Sequence, residues 1–325
     1  MADKEKVSPL RKLNLIFRFS YTLAFLLASV CGIVFAYAHY DVPIHIAILI
    51  PATVLFMALF VNFSNDYYDS VSGVDDLRFK RAAEGNISDS PLLKRIYWDG
   101  NPVNNGLVTR KQAKFIMVFL VAVCALLAIP IVLYGFDNNI GWTVIAFGAA
   151  GLLISFFYTA PPVNLGARGL GEISVGTSFF LMVFASCFVA AKGEWSYEIF
   201  VFAVLIGILV GLMRLVDSMS GQESHIEAGE KSISVILGLD RMVPLIKGFV
   251  VLGYIVAAIM LYFDLTYLLL FLTLPLAIGG WKVLSEKGPY WEVKIAPVMF
   301  LTAFLTEVLF IITQVVQVFF TYSLF

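Results

Sequence analysis

The stretch VNFSNDYYDSVSGVDD, Val61 to Asp76, puts four aspartates and two asparagines at the end of a run that is almost wholly apolar from Val42 onward. The polar cluster therefore sits at the mouth of an apolar helix. Working outward, the chain has 325 residues, is 60% hydrophobic and 14% charged, and has a mean hydropathy of +0.89. No ordinary soluble domain carries that composition on its surface.

Apolar runs of about 20 residues recur, the length a helix needs to cross about 30 Å of hydrocarbon. The short alternating segments of a β-barrel are absent. Windows of that length predict nine spans, near residues 19–38, 42–63, 113–134, 141–158, 170–191, 196–216, 243–263, 265–281 and 296–320. The first is longer than a signal-peptide core and lacks a small-residue cleavage pattern, so it is expected to be retained. With the N-terminus inside, the segments 1–18, 64–112, 159–169, 217–242 and 282–295, taken with residues just inside the helix ends, hold 21 of the 22 Lys and Arg. Basic loops stay cytoplasmic, so this asymmetry sets both the count and the orientation.

Cys31, Cys124 and Cys187 fall inside spans without metal or disulfide spacing and read as small apolar residues. No basic patch with interleaved aromatics points to nucleic acid. The outer connections are very short. Two inner ones, 64–112 and 217–242, are long and begin with acids continuing directly from the second and sixth spans. Their similar placement implies a pseudo-repeated, two-lobed bundle with one polar chamber on the cytoplasmic side.

If the second helix runs past Asn62, then Asn62, Asp66 and Asp69 share a face, with Asn65 and Asp69 one turn apart beside it. Gly73 permits a turn that returns Asp75 and Asp76 toward the same place. Carboxylates converging this closely repel unless a cation sits between them. Hard oxygen ligands suit Mg²⁺, which keeps waters and binds through a few carboxylates plus phosphate oxygens. A lone aspartate here would be a solvated helix cap; packing has no use for the whole string.

NDYYDSVSGVD, Asn65 to Asp75, resembles the first aspartate-rich motif, NDxxD with a following GxD, of the UbiA superfamily of intramembrane prenyltransferases, most of all its 1,4-dihydroxy-2-naphthoate branch. RFSYT (Arg18 to Thr22) resembles that family's start of the first helix. YTAPPVNLGARGLGEISVG (Tyr158 to Gly176) resembles its YTxxP…GLGE segment, and AGEKSISVILG (Ala228 to Gly238) its AGKxTLxVxLG. The resemblance covers nearly the whole chain. It implies an all-α polytopic membrane protein, one domain over 1–325, with nine helices around a central cavity.

The resemblance also implies chemistry: a polyprenyl diphosphate bound through Mg²⁺, which with basic residues stabilises the departing diphosphate while an electron-rich aromatic acceptor captures the allylic carbon. Carried over by position, Asn65 and Asp69 are first-motif ligands, with Asp66 and Asp75 assisting. Arg78, Lys80 and Arg81 would neutralise diphosphate, with Lys231 and Arg168 weaker candidates of the same kind. Tyr158 would face the cavity. Each of these has a plain alternative as an inner-loop charge or an interfacial tyrosine.

The second motif departs from the family pattern. Asp217 keeps the first acidic place, but Gly221 and His225 stand where aspartates are expected. Glu223 and Glu227 lie nearby at other helical angles. Histidine suits softer metals than Mg²⁺; at this place it would donate a hydrogen bond to diphosphate or accept a proton from the acceptor. Glu307, inside the last span, is a costly intramembrane charge expected to be neutral and hydrogen-bonded.

The sequence thus predicts a Mg²⁺-dependent prenyltransferase of the cell membrane, active on its cytoplasmic side in quinone-type or related redox-lipid synthesis, with membrane lipid as its other partner and no nucleic acid. Asp69, Asp66, Asp217 and His225 are the expected catalytic residues, and Asn65, Asp66, Asp69, Asp75 and Asp217 the expected metal ligands. The alternatives are an acceptor that is a glycerol phosphate lipid, or a lipid-binding or transport protein that kept the chamber without the chemistry. Acids confined to one-sided loops, and outer connections too short for a gate, argue against transport.

Overall fold

A computed structural model describes Ile16 and residues 18–75, 101–104, 106–288 and 291–323. The described chain is all helical. Its apolar helices are α1 (Phe19–His39), α2 (Ile44–Ser72), α3 (Arg110–Asp137), α4 (Gly141–Phe156), α5 (Gly171–Ala190), α6 (Tyr197–Ser220), α7 (Leu239–Met260), α8 (Leu274–Glu286) and α9 (Trp291–Ser323). Eight membrane-length segments stand beside one shorter apolar helix, α4. At 16 residues, α4 is about 24 Å long, and Pro161–Pro162 follows shortly after it, where a helix cannot readily continue. The expected eighth span is split as well: a 3₁₀ stretch, Leu265–Thr273, leads into α8, whose first turn carries proline.

Consecutive helices touch in a closed ring, and α9 returns to α1. α1 also packs on α5, and α6 on α9, so these four form the inner wall. Small residues permit the approach. A Cβ on Gly176 would sit 2.7 Å from the Gly207 carbonyl across the α5–α6 seam, and one on Gly32 would lie 2.2 Å from the Val183 carbonyl of α5. Close backbone contact of this kind replaces the hydrophobic drive that lipid cannot supply.

At the end of the bundle away from the acidic motifs, rings and amides close the interior. Phe202 stacks on Phe310 with centroids 3.5 Å apart. The fully buried Tyr267 donates from its hydroxyl to Glu198 at 2.5 Å and receives the Gln314 amide at 2.8 Å. His39 lies 3.3 Å from the Gln314 oxygen. These contacts tie α1, α6, α9 and the 3₁₀ stretch together. By alternation of the chain, the C-terminal ends of α2, α4 and α6 gather at the opposite end.

Candidate active site

α2 does run past Asn62, through Ser72. Gly73 then adopts the left-handed conformation (φ 82°) and its N–H caps Asp69 O at 3.0 Å, a helix stop that glycine makes at little steric cost. On the emerging turn, Asn65 Nδ2 donates to Asp69 Oδ2 at 2.8 Å. Asp66, fully buried, points elsewhere and is ion-paired with the Arg18 guanidinium. Asn62 Nδ2 reaches Thr22 Oγ1 at 3.1 Å. The expected acidic face is thus two arrangements: Asn65 with Asp69, and Asn62 and Asp66 fastened to the start of α1.

Asp75, also buried, does come back toward Asp66. Asn101 bridges them, donating to Asp75 Oδ2 at 2.8 Å and to the Asp66 carbonyl at 2.5 Å. Its own oxygen accepts from Val103 N at 2.9 Å, so the amide is locked in a turn. Asp69 lies within electrostatic reach of Asp75, Asp66, Arg18 and Glu230. Burial disfavours the Arg18 charge, but Asp66, Asp75, Tyr21 and Asp69 outweigh it and hold the guanidinium above its ordinary range. Arg78, Lys80, Arg81 and Asp76 lie outside the described residues.

Across the site, α6 ends in Arg214 paired with Asp217. The same guanidinium sits over the Tyr158 ring, 5.6 Å from its centroid. Close packing pushes the Tyr158 phenol up; Arg214 opposes that shift, and Asp217, Glu172 and Asp69 add to it. Tyr158 is therefore near carboxylates of both motifs. Glycines of the GARGLG segment make its slot: a Cβ on Gly166 or Gly171 would come within 3.3 Å of the ring.

After α6, a short helix, Gln222–Glu227, carries His225 inward and leaves Glu223 and Glu227 exposed. Gln222 Nε2 donates to the Ser234 carbonyl at 2.6 Å, and Ser234 Oγ to the Ser218 carbonyl at 2.8 Å, so the segment is pinned to α6. Lys231 has an exposed side chain, while its N–H donates to Ala167 O at 2.8 Å. Arg168 is exposed too and donates to the Pro162 carbonyl at 2.9 Å. Glu307 is buried in α9 with neither carboxyl oxygen hydrogen-bonded among the described residues.

Arg18, Asn101, Arg214 and Glu230 were not singled out as site residues from sequence. Arg18 and Arg214 look like ordinary basic residues at helix ends, and Asn101 and Glu230 lie in polar loops. Only the folded chain brings them onto aspartates and His225.

Comparison with known proteins agrees with this architecture. Residues 24–305 match the UbiA prenyltransferase family, and the chain belongs to that family of integral membrane proteins. It is 25% identical over 200 residues to a 2-carboxy-1,4-naphthoquinone phytyltransferase of Synechocystis sp., covering 61% of this chain and 57% of that protein. It is 22% identical over 196 residues to UbiA prenyltransferase domain-containing protein 1 of Dictyostelium discoideum, covering 60% and 54%. The aligned region thus spans little more than half of each relative. A UbiA homologue from Archaeoglobus fulgidus bound to GPP and Mg²⁺ shares the fold, with a TM-score of 0.66, 17% identity and coverage of 94% of this chain and 99% of the other.

Proposed function

We propose that the chain is a Mg²⁺-dependent membrane prenyltransferase that moves a polyprenyl group from its diphosphate to an aromatic acceptor in redox-lipid synthesis, at the cytoplasmic face of the cell membrane. The observation that carries this reading is the Asn65–Asp69 pair beside Asp66 and Asp75 at the end of a membrane helix. Around Asp69 the carboxyl groups of Asp75, Asp66 and Glu230 stand against the Arg18 guanidinium, so acidic groups outnumber basic ones among these neighbours.

The donor set fits Mg²⁺. Among the described residues no three His, Cys, Asp or Glu side chains converge into a complete metal-holding group. Mg²⁺ asks for no such cage: one or two carboxylates suffice when water and phosphate oxygens complete the shell. Asn65 and Asp69 would hold the ion, with Asp66 and Asp75 adding field. When bound, it supplies charge stabilisation for the departing diphosphate.

The protein's own groups do the rest. Arg18 pairs with Asp66 and holds that end of α2 in place. Asp217 pairs with Arg214, whose guanidinium lies over the Tyr158 ring; held in this way, Arg214 would supply positive charge to the diphosphate. Apolar helix faces hold the prenyl tail, so head and tail meet where the membrane gives way to the acidic loops. A match to a naphthoquinone phytyltransferase supports an aromatic acceptor.

Membranes carrying the chain, incubated with radiolabelled geranylgeranyl diphosphate, Mg²⁺ and a panel of aromatic acceptors, should yield a labelled lipid. Asp69→Ala should abolish it. Equal product from both chains would remove the site assignment.

A further inference from the structure

His225 and Glu230 are a paired acid and base that the reading above leaves unused. His225 Nδ1 lies 2.6 Å from Glu230 Oε2, with side chains only 11% and 14% exposed. The backbone fixes the pair again: Glu230 N donates to His225 O at 2.9 Å, and His225 N to Gly221 O at 3.1 Å. The ring rests against Gly221, where a Cβ would stand 3.3 Å from Nε2 and 3.4 Å from Cδ2. The two departures from the family's second motif are therefore one structural event, since losing the side chain at 221 makes room for the imidazole at 225.

Orientation decides between the two roles open to this histidine. A carboxylate at Nδ1 holds the proton there, so the neutral ring presents the Nε2 lone pair. Nε2 has no hydrogen bond among the described residues; the ring's one bond is to Glu230. In that tautomer Nε2 accepts a proton and has none to donate to phosphate. The surrounding charges are Asp217 and Arg214 at the end of α6, Lys231 beside Glu230, and Asp69 of α2, which acts electrostatically with Glu230. With the Lys231 N–H bond to Ala167 O at 2.8 Å, next to the Gly166 that packs on Tyr158, that coupling sets the pair at the same end of the bundle as both motifs.

Resting on the transferase reading, we propose that His225 takes the proton shed by the aromatic acceptor and that Glu230 is its positioning residue. A ring carbon of a hydroxylated acceptor bonds to the allylic carbon as the allylic carbon–oxygen bond breaks, its electron pair leaving on diphosphate. The hydroxyl proton passes to Nε2 while its O–H electrons form the ring carbonyl. Glu230 stabilises the resulting imidazolium, the role of an orienting carboxylate behind a general base.

The test uses the full chain in detergent with Mg²⁺, geranylgeranyl diphosphate and 1,4-dihydroxy-2-naphthoate, reading both product formation and Mg²⁺-dependent binding of geranyl diphosphate. His225→Ala should lower turnover by about 10²-fold or more and leave diphosphate affinity within about twofold, because the lost interaction belongs to the transition state. Added imidazole should recover much of the lost turnover by filling the space over Gly221. Glu230→Gln should lower turnover with binding intact and give no such recovery, its imidazole being present already. His225→Gln, which keeps most of the side-chain volume, should behave as His225→Ala does while melting with the native chain.

Loss of diphosphate binding in step with turnover would make His225 a phosphate or cation ligand and overturn the proposal. Native turnover in His225→Ala, or no response to imidazole, would overturn it as well. The two readings fail separately: an active Asp69→Ala chain removes the transferase site, whereas an active His225→Ala chain removes only this assignment.

Discussion

The Arg18 guanidinium, at the start of α1, pairs with the carboxylate of Asp66 near the end of α2. Arg18 itself adopts a left-handed backbone (φ 45°) as the residue preceding the helix. The pair fastens the first helix to the acidic end of the second, and Asn62 to Thr22 repeats the fastening one turn away. Removing one partner of a buried ion pair strands the other charge, at a cost of about 3–5 kcal/mol. Because Arg18 is partly exposed, Arg18→Gln should fall at the lower end of that range. Arg18→Gln with Asp66→Asn should melt above Arg18→Gln alone in detergent; additive losses would show that the charges do not act as a pair.

The α1–α5 seam makes a steric prediction. A methyl at Gly32 would meet the rigid Val183 carbonyl at 2.2 Å, whereas one at Gly148 meets nothing within 4 Å. Gly32→Ala should therefore destabilise by about 1–3 kcal/mol, the usual cost of overpacking. Gly148→Ala should melt as the native chain or slightly above. Thermal unfolding of the two variants in the same detergent decides it, and equal melting points would mean α1 and α5 do not approach as described.

Much of this architecture is legible in the sequence because the bilayer imposes a strict length on apolar runs. The expected bounds of α1 and α5 fall within a residue or so of those observed. The expected Asn65–Asp69 neighbour relation, which follows from helical spacing alone, is a hydrogen bond. What spacing does not reveal is tertiary partnership. Asp66 shares helical spacing with Asp69, yet it turns to Arg18 of another helix, and Asp217 turns to Arg214 of its own. The split eighth span was likewise hidden, because Leu265 to Thr273 is as apolar as any helix and its 3₁₀ form is a matter of backbone geometry.

Asp264 supplies a pH-dependent contribution to stability. It opens the 3₁₀ stretch, accepting from Thr266 N at 2.7 Å and Thr266 Oγ1 at 2.6 Å. Burial raises its pKa, but the Thr266 and Gln317 hydrogen bonds outweigh burial and hold the carboxyl below its ordinary value. A depressed folded pKa means that the stabilisation is present above the unfolded value, about 3.9, and is lost as pH falls through the folded one. Asp264→Ala should cost about 1 kcal/mol near neutrality, as a lost cap does. The gap in melting temperature from the native chain should shrink below about pH 4; a constant gap down to pH 3 would show that ionisation is irrelevant.

The central claim is that a divalent cation joins Asn65 and Asp69 to the phosphate head of a membrane-held prenyl chain. Calorimetric titration of geranyl diphosphate into the full chain tests it most directly, with Mg²⁺ present or chelated, for the native protein and for Asp69→Ala. The native chain should bind only with Mg²⁺, and Asp69→Ala should lose at least about 3 kcal/mol of that binding, the cost of removing one partner from a buried charged contact. Equal affinity in the two chains, or native binding indifferent to chelation, would contradict the account.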